Sequence, residues 1–132
     1  HKMSLFNDYV KAVYTALNGT TGLTGLISEK LDNEGTWPKI WIEDGGADDW
    51  SNKDDDGLEA TINLHVGSRY DGSKELRTLM DKCHAALMNV DLVLANGQSV
   101  LCQFKRHDIV TDSDGVTRHG IMRFNLLISE VA

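Results

Sequence analysis

Apolar residues along the N-terminal segment recur at the helical spacing of about 3.6 residues. Leu5, Phe6, Tyr9, Val10, Val13 and Leu17 share one face of a helix predicted from Ser4 to about Asn18. Ser4 suits the N-cap, Asp8 complements the helix dipole, and Asn18-Gly19 ends the helix. After the small-residue connection TTGLTGL, the pattern changes. Lys39–Glu43 reads as a strand with Ile40 and Ile42 on one side and Pro38 at its start. From Leu58 to Val66, apolar and polar residues alternate strictly: Leu58, Ala60, Ile62, Leu64 and Val66 against Glu59, Thr61, Asn63 and His65. One buried face and one wet face favour an antiparallel sheet.

Asp71-Gly72-Ser73 predicts a turn and N-cap. A second amphipathic helix follows from Lys74 to about Asn89, its stripe set by Leu76, Leu79, Met80, Cys83 and Leu87. Asp91–Ala95 and Ser99–Val110 flank Asn96-Gly97, a strong hairpin signal. The last strand is predicted from about Thr117 to Val131, with Met122, Phe124, Leu126 and Ile128 facing one way. Helices and strands do not alternate regularly, so the expected class is α+β. The expected architecture is a mostly antiparallel sheet of about four to five strands, with two amphipathic helices packed on one face.

The length of 132 residues suits one domain, expected over residues 4–132; His1-Lys2-Met3 reads as an expression remnant. No signal peptide is expected, and no apolar run approaches the ~20 residues of a membrane span. The net charge of −7 argues against free-standing nucleic-acid binding. Eight carboxylates fall between Glu43 and Glu59, which reads as a long, solvated acidic loop. Cys83 and Cys102 read as buried free thiols. Cys83-His84 is no dyad, because helix neighbours point about 100° apart.

The Asp-rich stretches TDSDGVTRHG (111–120) and NKDDDGLE (52–59) invite a calcium reading. From Asp112, however, Val116, Thr117 and Arg123 fall where an EF-hand loop needs an oxygen ligand, a glycine and a bidentate glutamate. The flanks also read as strands. Ser113-Asp114-Gly115 is better read as the turn of a β-hairpin. His65, His107 and His119 fall on polar strand faces, where three converging imidazoles would hold zinc and separate ones would be solvated or face a partner. No nucleophile elbow, P-loop, dinucleotide fingerprint or HExxH is present, so no catalytic residue is assigned and no enzyme or cofactor is expected. No glycine-rich or basic site argues for a small ligand. Trp37 and Trp41 bracket the first strand, and Trp50 stands within the acidic run, where a large aromatic anchors either its own domain or a partner.

Taken in order, AVYTALNG (12–19), PKIWIEDG, DDWSNK, GLEATINLHVGSRYDG, a helix containing AAL, and TDSDGVTRHGIMRF resemble the tail completion, or tail terminator, proteins of long-tailed bacteriophages, prophages and gene transfer agents. The resemblance runs from Ser4 to Glu130. Two departures stand out: Gly67 occupies a position where a bulky residue is expected, and residues 27–37 lack a Gly-Arg and an extra proline. The resemblance implies a ring, a hexamer, at the head-proximal end of the tail tube. There it would end tube polymerisation and meet the head connector or stopper. It implies a virion protein assembled in the host bacterial cytoplasm, with DNA only passing through the ring. A ring needs a heterologous interface. An exposed sheet edge and the acidic run suit one. The candidate interface residues are Trp50, Asp48, Asp49, Asp54, Asp55, Asp56, Arg69, Arg118 and His119. Six copies would bring six times −7, which would repel passing DNA if it lined the lumen. The reading from another class is a calcium- or zinc-binding module built on the Asp stretches or on His65, His107 and His119.

Overall fold

The structure, a computed structural model, describes residues 5–28, 36–49, 56–88, 91–94 and 99–130. Its elements are α1 (Leu5–Asn18), β1 (Ile27–Ser28), β2 (Lys39–Asp49), β3 (Asp56–Ser68), α2 (Lys74–Met88), β4 (Leu92–Val93), β5 (Ser99–Thr111) and β6 (Arg118–Glu130). The strands form one sheet in the order β1-β2-β3-β6-β5-β4. All neighbours run antiparallel except β1 and β2, which are parallel. The α+β class holds, but among the described residues the sheet has six strands rather than four to five. The additional pair, β1 with β2, spans only Ile27↔Ile40 and Ser28↔Trp41. Two residues carry no readable alternation.

The core lies between the helices and one sheet face. Ile40, Ile42, Ala60, Ile62, Leu64, Val66, Met122, Phe124, Leu126 and Ile128 supply the sheet side. Tyr9, Val13 and Leu17 from α1, with Leu76, Leu79, Met80, Cys83 and Leu87 from α2, close it. This burial follows the predicted apolar stripes except at Phe6, which is exposed. β3 pairs with β6 without interruption from Asp56↔Glu130 to Ser68↔Arg118, so the two strictly alternating segments form the centre of the sheet.

Where it is described, at residues 43–49 and 56–59, the acidic stretch is strand rather than loop. β2 continues to Asp49 and pairs with β3 as far as Asp49↔Leu58, across a bulge between Asp44 and Ala47. Burial alternates only up to Ile42; from Glu43 to Asp49 every residue of β2 is exposed. This half of the strand leaves the core, so backbone hydrogen bonds hold it while its side chains face water on both sides. Asp and Gly are poor strand formers, and the ladder to β3 overrides them. The predicted turn residues Asn96-Gly97 lie outside the described residues. Their flanks pair as a hairpin would require, Leu92↔Val100 and Val93↔Ser99.

Candidate assembly interface

The sheet face away from the helices carries an aromatic and histidine cluster. Trp41 on β2 stands opposite His65 on β3, and His119 on β6 stands opposite Gly67. Directly paired residues share a face. The Trp41 and His65 rings stack at 5.1 Å and 6°, and His119 tilts against both. His65 Nδ1 lies 2.8 Å from His119 Nε2, and His65 Nε2 lies 2.9 Å from Glu43 Oε1. A carboxylate only accepts, so His65 Nε2–H donates to Glu43. Neutral His65 Nδ1 then accepts from His119 Nε2–H, a tautomer assignment inferred from the partners. The bond from His65 holds the Glu43 carboxyl below its ordinary range. Burial, and then the neighbouring His65, lower the proton affinity of His119, while Asp112 at 3.8 Å acts the other way.

A second cluster surrounds the β5–β6 turn. Asp112 N–H donates to the Thr117 carbonyl and Gly115 N–H to the Asp112 carbonyl, closing the hairpin. Gly115 has φ +74°, which glycine adopts without cost. Asp114 accepts from the Val116 and Thr117 amides and from the Thr117 hydroxyl, at 2.6–2.8 Å. These bonds, the hydroxyl first, pull its carboxyl down to about 2. The Asp-Gly motif is therefore a turn, as its residue chemistry indicated, and its carboxylate is occupied by its own loop. Thr117 is buried, and its hydroxyl accepts from Arg69 Nε at 3.0 Å. The Arg69 guanidinium also lies 4.5 Å from the Trp37 ring centre. That ring packs on Gly67, where an added Cβ would collide with it. Trp37 thus supplies the bulk expected at position 67.

The predicted interface residues fall into separate groups. Arg69, Arg118 and His119 are brought together at one end of the sheet; Arg118 donates to the Tyr70 carbonyl at 3.3 Å. Asp48 and Asp49 are exposed near the far end of β2, opposite Glu59 and Leu58. Asp56 opens β3 opposite Glu130. Trp50, Asp54 and Asp55 lie outside the described residues. Other carboxylates of the acidic run make hydrogen bonds while staying fully or partly exposed. Asp44 accepts from the Tyr9 hydroxyl at 2.8 Å and Glu59 from Asn125 at 2.8 Å. Trp37, Trp41, Glu43 and Thr117 were not singled out as site residues, because their roles depend on cross-strand register that spacing along one strand does not reveal.

The three-histidine zinc arrangement does not form. β5 bulges between Phe104 and Arg106, and beyond the bulge His107 pairs with Met122, on the helix-facing side. There it stacks near Phe104 and lines a groove of about 370 Å³ with Arg77, Met80, Asp81 and His84. His65 and His119 lie on the opposite face. Among the described residues, no group of three His, Cys, Asp or Glu side chains is placed to hold a metal. Cys83 is buried and Cys102 half-buried, and burial pushes both thiols up to about 12. Among the described residues, no helix is long and apolar enough to cross a membrane.

The class of protein that emerges is an α+β subunit with one covered sheet face, one polar and aromatic face, and long strands reaching beyond the core. The family model described as "Tail completion protein gp17" matches residues 11–129. The chain belongs to this tail completion family of bacteriophage structural proteins. Among solved structures, it is similar to a chain of a particle described as "Virion of native gene transfer agent (GTA) particle". The TM-score is 0.80 at 16% identity, covering 98% of this chain and 100% of that one. A likeness at that identity speaks for the fold. Comparison with curated proteins gives no match.

Proposed function

We propose that this chain is a tail terminator: a ring-forming, non-enzymatic subunit that caps the head-proximal end of the phage tail tube and joins it to the head connector or stopper. The observation that carries this reading is the family match over residues 11–129. Its partners are further copies of itself, in a hexamer, and the tail tube protein. It works in the virion after assembly in the host cytoplasm, and DNA passes through the ring without being held. The activity is positional. Arg118 and His119 beside the β5–β6 turn, and the acidic end of the β2–β3 hairpin, are the subunit and tube contacts. Arg69, Trp50 and the carboxylates 48, 49 and 54–56 are counted among the contacts from the sequence.

Multi-angle light scattering with and without tail tube protein tests the assembly. The expected result is a particle of six subunits, formed alone or on the tube end. A protein that stays monomeric in both conditions contradicts the ring. Carboxylates on the outer rim of such a ring would contradict the acidic lumen.

A further inference from the structure

The sheet ends on two open edges that lie on opposite sides of the subunit. On one side, β4 reaches only Ser99 and Val100, so among the described residues no strand covers β5 from Leu101 to Thr111. On the other side, β1 reaches only Ile40 and Trp41, so among the described residues no strand covers the outer edge of β2 from Ile42 to Asp48. A strand edge exposes unpaired N–H and C=O groups and templates pairing with another chain unless it is blunted. β5 is long and partly apolar: Leu101 is 58% exposed and Val110 47%. A lone monomer rarely leaves such an edge uncovered.

The charges on the two edges differ in sign. The distal half of β2 carries Glu43, Asp44, Asp48 and Asp49. β5 carries Lys105 and Arg106 at its bulge. Arg106 bonds Asp108 at 2.7 Å, but both side chains are more than half exposed, so that pair is weak and exchangeable. Pairing β2 with β2 sets acid against acid, whereas β5, with Lys105 and Arg106 against the single carboxylate of Asp108, carries a net positive charge. β2 against β5 brings opposite net charges together. That contact is heterologous, the kind that closes a ring when repeated about an axis.

We infer that β5 of one subunit, from Lys105 to Thr111, pairs edge-to-edge with the distal half of β2, Glu43–Asp48, of the next copy, so that one sheet continues around the ring. This rests on the ring reading above and specifies its interface. The bulges at Asp44/Ala47 and Phe104/Arg106 set where pairing begins, and the exposed Val110 is covered by the neighbour.

The test is cross-linking of a protein carrying Asp48→Cys and Arg106→Cys on a Cys102→Ser background, with a short bis-maleimide, with and without tail tube protein. Light scattering is recorded on the same samples. The expected result is a ladder up to six subunits on a denaturing gel, while each single-cysteine protein gives none. A ring-sized particle without the ladder overturns the edge pairing and leaves the ring standing. Cross-links to tube protein alone assign these edges to the tube and also overturn it. A protein that remains monomeric throughout overturns the ring reading and the edge pairing with it.

Discussion

At the scale of single residues, Thr117 joins more of the candidate surface than any residue the sequence marked. Its buried hydroxyl links Arg69 to Asp114. Thr117→Val keeps the shape and removes the hydroxyl, leaving Arg69 and Asp114 each one partner short. A loss of about 1–3 kcal/mol is expected in denaturant unfolding. His119 gives a pH prediction. His65 on β3, Glu43 on β2 and Asp112 after β5 are the titratable groups around it. Its folded proton affinity is lowered, so the unfolded chain takes up the proton first. Stability from His119 is therefore present above its ordinary value of about 6.5 and is lost as pH falls below it. Glu43 acts in the same direction at lower pH: its lowered carboxyl stabilises above the ordinary range and loses that contribution on acidification. The melting temperature of the wild type should fall more between pH 7.5 and 5.5 than that of His119→Gln. Equal slopes would mean that His119 is solvated in the native state. Trp50→Ala should leave the melting temperature nearly unchanged and weaken assembly onto tubes; a large loss of monomer stability would make Trp50 a core residue.

At the scale of elements, what could be read from sequence follows the core. α1, α2, β3 and β6 each carry an apolar stripe on one face, and their predicted bounds differ from the structure by only a few residues. β2 was readable only as far as Ile42, because its distal half faces water on both sides and has no pattern to read. β1 is too short for a pattern. His107 was assigned to the wrong face because a bulge shifts side-chain alternation by one residue, and a bulge has no reliable sequence signature. The hairpin at Asp114-Gly115 was readable because its chemistry is local. The Trp41–His65–His119 cluster was not, since it needs the registers of three strands at once. The packing of Trp37 on Gly67 joins the start of β2 to the end of β3. Gly67→Ala should displace that ring and cost about 1–3 kcal/mol by overpacking. Thermal unfolding checks it; an unchanged midpoint would mean the ring is free to move.

At the scale of the whole molecule, the fold sorts its surface into parts with different uses. Helices seal one sheet face. The other face gathers Trp41, His65 and His119. β2 carries an exposed acidic half on one side of the sheet, and β5 a basic, partly apolar edge on the other. The family to which the chain belongs is one of structural virion proteins. The most direct measurement is the length of tail tubes assembled in vitro, imaged by electron microscopy as increasing amounts of this protein are added. The account predicts that tubes stop elongating, with a ring of density at one end of each. Tubes that keep growing at every protein concentration, with bare ends, would contradict it.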